Sequence, residues 1–281
     1  MSATHPLEGT GALVTGGGSG IGLACAVRLA TDGATVTICG RTAERLTSAI
    51  DETGPIDGPG SLHAIAADVT DEAAMAAAVQ AAEANAGGPL GIVVANAGGS
   101  TSIGPVTQLG RDEWDATTAV ILTGTMLALK YGAASLVRGG GGSFVAISST
   151  AGSLVHPWFG AYGPAKAAVN QLCRQAADEL GPSAVRVNSV CPGLIRTEMV
   201  EMITAGGGVL DSYEENTPID RIGEPDDIAA MVRFLVGPES TWLTGQVITV
   251  DGGQSLRRGP SLAEFIEPLF GADGLRGVVG S

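Results

Sequence analysis

The chain has 281 residues, a formal net charge of −14, four cysteines and three histidines. The acidic balance disfavours binding to nucleic acid or to an anionic membrane, and three histidines without clustered ligands argue against a metal site. Residues 1–9 lack the basic region and apolar core of a signal peptide, and the longest apolar stretch, 119–129, is too short to span a bilayer and stops at Lys130. We therefore expect a cytoplasmic protein that binds neither nucleic acid nor membrane.

Apolar and helical patterns alternate along the whole chain. A first apolar run covers residues 12–14, and six more cover residues 34–39, 62–67, 91–95, 143–148, 185–190 and 247–250. These runs are nearly continuous, as expected for strands that are covered on both faces. The alternation predicts one α/β domain over residues 1–281 with a parallel sheet. The cysteines fall within these elements and are expected to be buried apolar residues rather than a disulfide set: Cys25, Cys39, Cys173 and Cys191.

A glycine turn at residues 15–22, Thr-Gly-Gly-Gly-Ser-Gly-Ile-Gly, joins the first predicted strand to a helical pattern. Glycines permit positive φ and close backbone approach, and a helix N-terminus offers unpaired N–H groups to a pyrophosphate. A Walker loop is excluded because no Lys-Ser or Lys-Thr pair follows the glycines. The motif alone is also compatible with a turn that binds no ligand.

A second candidate site is the sequence Tyr162-Gly-Pro-Ala-Lys166, thirteen residues after Ser149. The apolar rhythm of residues 169–180 predicts a helix that begins near Tyr162, since Pro164 is tolerated only in a first turn. On a helix, a spacing of four places the phenol and the ammonium on one face. We expect the ammonium to lower the phenol pKa from its free value of ~10 into the range of an acid or base catalyst. Taken alone, the pair is more simply a core tyrosine and a solvated lysine.

Further motifs place these two in a wider pattern. From about residue 9 to residue 253 the chain resembles the short-chain dehydrogenase/reductase family. The resemblance is carried, in family order, by the glycine turn, Asp68-Val69, Asn96-Ala97-Gly98, Ser149, Tyr162 with Lys166, Pro192-Gly193 with Thr197, and Asp251-Gly252-Gly253. Each motif is weak by itself, whereas the ordered set is specific.

The resemblance implies a Rossmann-type fold, in which a doubly wound parallel sheet of seven strands has helices on both faces. It also implies an NAD(P)H oxidoreductase in which Tyr162 is the acid and base, Ser149 orients the substrate oxygen, and Lys166 holds the nicotinamide ribose and lowers the phenol pKa. Asp68 and Val69 would hold the adenine, although Asp68 could instead be a plain helix cap. The full set of implied cofactor contacts is Gly16, Gly18, Ser19, Gly20, Ile21, Gly22, Arg41, Asp68, Val69, Asn96, Ala97, Gly98, Tyr162, Lys166, Pro192, Gly193, Ile195 and Thr197.

The end of the second predicted strand bears on the choice of cofactor. NAD-preferring members of the family usually have an acid where this chain has Gly40, and Arg41 follows directly. A guanidinium can bind a 2′-phosphate bidentately, which favours NADP(H), with Arg45 as a helper one turn further. Ser19 favours the alternative, NAD, because many NADP-preferring relatives have a basic residue at that position.

One residue departs from the family pattern. Ile121 stands where the family usually has an asparagine that helps to place a water on the proton path from the lysine. Isoleucine can neither donate nor accept a hydrogen bond. Either the backbone or another group holds the water, or proton exchange is slower, or the protein is a poor dehydrogenase; the first is favoured because Ser149, Tyr162 and Lys166 are present.

The substrate region is less clearly encoded. Residues 198–216 are interpreted as a lid with a glycine hinge at 206–208, and His156, Trp158 and Met199 as substrate contacts together with Ser149. These side chains suggest an apolar ketone or secondary alcohol. Residues 254–281 form a C-terminal extension that either closes over a neighbour's active site or covers an apolar edge. The resemblance also implies a homotetramer or homodimer, with interfaces on residues 127–136, 169–180 and 234–250.

Two other functions fit the same motifs. A catalytically weak NAD(P)-binding regulatory protein is suggested by Ile121, and a lyase or epimerase could use the same scaffold without net change of the nicotinamide. The leading prediction is an NADP(H)-dependent oxidoreductase that interconverts an apolar secondary alcohol and a ketone by hydride transfer, with Tyr162 as acid and base.

Overall fold

Seven strands form one sheet in the computed structural model, which describes residues 5–257 and 261–278. The strands are β1 (Gly11–Thr15), β2 (Thr35–Gly40), β3 (Ser61–Ala66), β4 (Ile92–Ala95), β5 (Gly142–Ile147), β6 (Val185–Pro192) and β7 (Val247–Val250). All neighbours pair in parallel, in the order β3-β2-β1-β4-β5-β6-β7. The order reverses between β1 and β4, and ligands bind at such a switch point beyond the carboxyl ends of the strands.

Helices cover both faces of the sheet. They are α1 (Gly20–Thr31), α2 (Ala43–Thr53), α3 (Glu72–Ala86), α4 (Arg111–Thr118), α5 (Gly124–Arg138), α6 (Tyr162–Leu180), α7 (Glu201–Thr204), α8 (Gly208–Asn216), α9 (Pro225–Val236) and α10 (Ala263–Leu275). Successive strand residues face opposite sides, so Leu13 packs in a core with α3, α5 and α6, while Val14 packs in a second core with α1, α2 and α9. The predicted fold class is confirmed.

Residues 111–138 form one helical run, in which a π-helical segment (Ala119–Thr123) joins α4 to α5. By length and composition this run could cross a membrane, but 56% of its most apolar window is buried inside the protein. It packs against α3 and α6, as a core helix does. The apolar stretch 119–129 itself stops at Lys130, but the helix continues to Arg138 with the charged side chain on its exposed side.

The four cysteines are free thiols and buried, as predicted for small apolar residues. Desolvation raises the pKa of Cys25, Cys39 and Cys173 to about 12. Among residues 5–257 and 261–278, no three His, Cys, Asp or Glu side chains are grouped so that they could hold a metal ion.

Candidate active site

The glycine turn connects the carboxyl end of β1 to α1. Gly16 and Gly20 have φ of +65° and +52°, a region that favours glycine, and a Cβ on Gly22 would collide with the carbonyl oxygen of Gly16. Helix α1 has no side-chain cap on its N-terminus and no acidic residue in its first turn. Its N–H groups and positive dipole end are therefore available to an anion, and the cradle fits the pyrophosphate of a dinucleotide.

Asn96, just after β4, holds the glycine turn in shape. Its Nδ2 donates to the carbonyl oxygens of Thr15 at 3.1 Å and Gly16 at 3.0 Å. In return, the Thr15 hydroxyl accepts from the backbone N–H groups of Asn96 and Ala97, each at 3.0 Å. The predicted segment 96–98 thus meets the turn at the switch point, and its asparagine positions backbone atoms rather than pointing outward.

Asp68 does not cap α3. The N-cap is Asp71, whose carboxylate accepts from the N–H of Ala74 at 3.0 Å. Asp68 forms a turn in which Thr70 donates its backbone N–H and its hydroxyl to Oδ1, at 2.9 and 2.8 Å. These bonds, with a smaller contribution from Arg41, hold the pKa of the Asp68 carboxyl below its usual value, so it is ionised and can accept a hydrogen bond. The cap interpretation is wrong, and the adenine contact remains a prediction.

Several residues predicted to contact the cofactor have buried or partly buried side chains. The side chain of Val69 is 7% exposed and packs in the α3-side core beside Gly124. Ile195 is 6% exposed and bridges to Gly223. Ile21 packs partly buried in the α1-side core.

The 192–197 loop returns from the end of β6 to the glycine turn. The Gly193 N–H donates to the carbonyl of Val250 at 3.1 Å, and the Thr197 methyl lies 3.0 Å from where a Cβ on Gly20 would be. Pro192 is the last residue of β6. The loop therefore closes one side of the groove that begins at the pyrophosphate cradle.

Arg45 places a cation beside the glycine turn, whose own residues 15–22 include no basic side chain. Its Nη2 donates to the Ser19 hydroxyl at 2.9 Å, and Gly18 lies beside its side chain. The same nitrogen pairs with the carboxylate of Glu198, at the start of the lid. Arg41 is exposed at the end of β2 and acts electrostatically on Asp68. Two guanidinium groups thus lie near the glycine turn and the end of β2.

Helix α6 begins at Tyr162 and carries Lys166 one turn later, as predicted. The Lys166 Nζ lies 5.6 Å from the centroid of the tyrosine ring and donates to the carbonyl of Ile147, the last residue of β5, at 2.7 Å. The Ser149 hydroxyl, which accepts from the Ala151 N–H at 3.1 Å, lies close enough to the Tyr162 phenol to lower its pKa. A Cβ on Gly98 would lie 3.5 Å from the ammonium. The ends of β4 and β5 and the start of α6 therefore bring the predicted catalytic residues together.

Burial dominates the electrostatics of this pair. Desolvation raises the pKa of Tyr162, and the nearby Ser149 hydroxyl acts in the opposite direction. Lys166 is 4% exposed, and desolvation lowers its pKa to about 8. The expectation that the ammonium brings the phenol pKa below its ordinary value was wrong, because the cost of burying a phenolate is larger than the help from its neighbours.

Ile121 lies in the π-helical segment, fully buried in the α3-side core. Its carbonyl oxygen accepts from the Thr125 hydroxyl at 2.7 Å. A π segment departs from the regular backbone ladder and is frequent at functional sites. This segment packs against α6, which carries Lys166. That the backbone or another group here holds the water remains a prediction.

Aromatic rings continue from the phenol toward the substrate side. His156 stacks on Phe159 with centroids 5.1 Å apart, and Phe159 meets Tyr162 edge-on at 5.9 Å. Burial lowers the pKa of His156, so its ring is neutral near pH 7. The side of the phenol that meets Phe159 is thus apolar and uncharged.

Trp158 has a φ of +64°, a conformation that is strained for a large side chain. It is held by flanking contacts: its carbonyl accepts from the N–H of Gly104 at 2.9 Å, and Gly104 bridges to Phe159. Strain that the surroundings enforce is characteristic of ligand-binding loops. The structure thus places His156 and Trp158 beside Phe159, which contacts Tyr162, and their predicted substrate contacts stay predictions.

The lid contains α7 and α8, joined by Gly206 and Gly207 with φ of +121° and +99°. The predicted glycine hinge therefore coincides with a segment that requires glycine. Met199 is 66% exposed and does not join the apolar residues around the phenol. Its predicted substrate contact stays a prediction.

Sequence reasoning missed Tyr213 of α8. Its side chain is 6% exposed, and its pKa is raised mainly by burial and also by proximity to Tyr162. It lines a cavity of about 160 Å³ together with Leu194 and Ile195. The sequence signal is the spacing of four between Val209 and Tyr213, which puts both on one helix face, and the structure shows both buried.

Comparison with known proteins decides the family. A family model described as Enoyl-(Acyl carrier protein) reductase matches residues 16–255. The human (3R)-3-hydroxyacyl-CoA dehydrogenase is 37% identical over 248 residues, which cover 86% of this chain and 94% of that protein. The chain belongs to the short-chain dehydrogenase/reductase family. The resemblance seen in the motifs is thereby confirmed.

Solved structures of other short-chain dehydrogenases/reductases superpose closely on this chain. One from Mycobacterium ulcerans, described as a short-chain type dehydrogenase/reductase, has a TM-score of 0.94 and 48% identity and covers 97% of this chain and 99% of its own. A 7 alpha-hydroxysteroid dehydrogenase complexed with NADH and 7-oxo glycochenodeoxycholic acid has a TM-score of 0.83 and 30% identity, with 89% and 96% covered. The chain is an oxidoreductase of a family that uses NAD(P) cofactors.

Proposed function

We propose that this chain is an NADP(H)-dependent oxidoreductase that interconverts an apolar secondary alcohol and a ketone, with Tyr162 as acid and base. The observation that carries the proposal is the meeting of Ser149, Tyr162 and Lys166 beside the pyrophosphate cradle. Relatives named for hydroxyacyl and hydroxysteroid substrates support an alcohol–ketone couple.

The residues account for the proton in both directions. A bound nicotinamide would supply or accept the hydride. In reduction, Tyr162 is protonated because its pKa is raised, and it donates the phenolic proton to the substrate oxygen that the Ser149 hydroxyl holds. The Lys166 ammonium, charged below about pH 8, stabilises the phenolate that remains. In oxidation, the phenolate takes the proton back.

The preference for NADP(H) is supported by the two guanidinium groups. Arg45 fills the space beside Ser19 where the motif lacks a basic residue, and Arg41 is exposed beside Asp68. Arginine binds phosphate bidentately, and the end of β2 at Gly40 has no carboxylate to repel it. The overall charge of −14 makes such local cations necessary for binding an anionic cofactor.

The test is turnover of a panel of apolar ketones and alcohols, followed by the nicotinamide absorbance with each cofactor. We expect the Tyr162→Phe variant to lose about 10²–10⁴ of turnover while binding NADPH normally. Cofactor binding without any turnover by the native protein would favour a regulatory role. Conversion of substrate without net change in absorbance would favour a lyase or epimerase. A native preference for NAD(H) would refute the arginine argument.

A further inference from the structure

The C-terminal extension, residues 254–281, includes α10, which packs onto its own chain beside Phe159, the ring that contacts Tyr162. Leu262 and Ile266 at the start of α10 are 2% and 0% exposed, and they form an apolar cluster with Val209 and Tyr213 of the lid. The partly buried residues packed against this cluster come from the aromatic loop, the 192–197 loop, the lid and α10 itself: Trp158, Phe159, Leu194, Ile203, Phe265, Phe270 and Leu275. Lid and extension therefore share one core with the residues that flank the phenol.

The far end of α10 contacts the loop that follows β4, across the substrate region from the lid. The Phe270 ring lies against Gly104, with atoms 2.7 to 3.4 Å from where a Cβ would be, so only glycine leaves room for it. Gln108 in the same loop donates its amide to the carbonyl of Val278 at 3.4 Å. Because Gly104 also bridges to Phe159, this contact is continuous with the aromatic chain that ends at Tyr162.

A third contact fixes the hinge of the lid. The carboxylate of Glu264 lies at the N-terminus of α8, so close to Gly208 that a Cβ there would be 2.7 Å from its oxygen. A negative charge at this end of a helix is favourable. Thus α10 touches the lid hinge, the lid core and the loop across the cleft.

We propose that α10 forms the outer wall of the substrate site of its own protomer, and that Phe270 limits the size of the apolar group that can lie beside Tyr162. The inference rests on the proposed function for its substrate class, apolar ketones and secondary alcohols, and adds an upper limit on their size. It departs from both readings of the extension offered by the sequence, a cover for a neighbour's site or for an apolar edge.

The chain offers a matched control within the same helix. Leu269 is 69% exposed and adjacent to Phe270, so Leu269→Ala removes a similar apolar group from the solvent side. We expect Phe270→Ala to lower KM for large cyclic ketones, such as cyclododecanone, by about ten-fold and to raise KM for cyclopentanone, with kcat for the small ketone little changed. Leu269→Ala should keep the native size profile. If KM depends on ketone size in the same way in Phe270→Ala and Leu269→Ala, the proposal is overturned.

A second variant and a binding measurement make the test independent of a folding failure and of the proposed reaction. If Phe270→Ala does not fold, Phe270→Leu should shift the profile in the same direction by a smaller factor, and no shift would count against the wall. Binding of the same ketones can be followed by the fluorescence of Trp158 in a Trp114→Phe, Trp242→Phe background, where it is the remaining tryptophan. If Phe270→Ala binds the large ketones more tightly than the protein with Phe270 does, the result supports α10 as the wall even if no ketone is reduced. A binding profile that is the same in both variants refutes it whatever the turnover.

Discussion

Tyr162 is a weaker acid in this protein than in water, and this fixes the expected pH dependence. In the proposed reaction its proton is the one that ketone reduction consumes, so reduction would be served by the dominant form of the phenol at neutral pH. Oxidation requires the minor phenolate, whose population rises with pH. The neighbouring ammonium, which favours the phenolate, is lost above about pH 8.

We expect kcat/KM for alcohol oxidation to rise with pH up to about 8 and then to flatten as Lys166 loses its charge. For ketone reduction, kcat/KM should be nearly constant from pH 6 to about 8 and should fall at higher pH. The measurement is the pair of pH profiles at saturating cofactor. An oxidation rate independent of pH between 6 and 8 would show instead that the phenol titrates below this range.

Glu198 competes for the guanidinium that is proposed to bind a 2′-phosphate. Arg45 pairs with this carboxylate across the groove, and both side chains are more than half exposed. Glu198→Gln should therefore tighten NADPH binding about two- to five-fold and leave NADH binding unchanged, in keeping with the strength of exposed ion pairs. Titration by fluorescence with both cofactors is the measurement. Glu201→Gln, an exposed acid in the same lid, is the control, and an equal effect on both cofactors would contradict the role of Arg45.

The residues that sequence could identify are those fixed by local rules. The spacing of Tyr162 and Lys166 and the glycines of the turn depend on helix geometry and backbone freedom, which a short segment determines. The direction of the phenol pKa depends on burial by distant segments, and the partner of Arg45 is 153 residues away. Such properties arise from tertiary contacts, so no local pattern could contain them.

At the scale of elements, the glycine turn between β1 and α1 packs against Asn96, just after β4. Gly22 leaves room for the carbonyl of Gly16 and for the Asn96 amide. Gly22→Ala should weaken binding of either cofactor by about ten-fold or more, since overpacking here displaces the cradle. Gly88→Ala is the control, because a Cβ there meets no atom within 4 Å. Calorimetric titration of both variants checks this, and unchanged affinity in Gly22→Ala would show that the turn can relax.

The strands and main helices could be predicted because each has a continuous apolar run or a helical rhythm. Observed strands begin and end within about two residues of those predicted. The short lid helices and the docking of α10 could not, because α7 has only four residues and α10 is interrupted at Gly271. Their positions are set by packing against each other, a property of the assembled chain.

At the scale of the molecule, a large aromatic side chain is exposed to solvent just before β7, the edge strand of the sheet. Trp242 is 99% exposed in the single protomer, and Phe234 of α9 is 37% exposed. Both lie in the segment that the family resemblance places at an interface, and apolar surface of this kind is typical of association sites. We propose that the protein is a homodimer or homotetramer.

Light scattering should give two or four times the 28.0 kDa of one chain. Trp242→Ser should weaken association by about ten-fold or more, as loss of a buried interface tryptophan does. Val106→Ser, at a position that is 83% exposed and outside that segment, should leave the mass unchanged. A native protein that is monomeric at micromolar concentration would refute the proposal.

The apolar cluster shared by the lid and α10 contains no strand residue. The two larger cores hold the sheet together, so substitutions there threaten the fold itself. Changes within the smaller cluster can be made without touching sheet packing. Libraries randomised at its aromatic positions should therefore yield many folded variants with altered substrate range, which makes this cluster the part of the enzyme best suited to directed evolution.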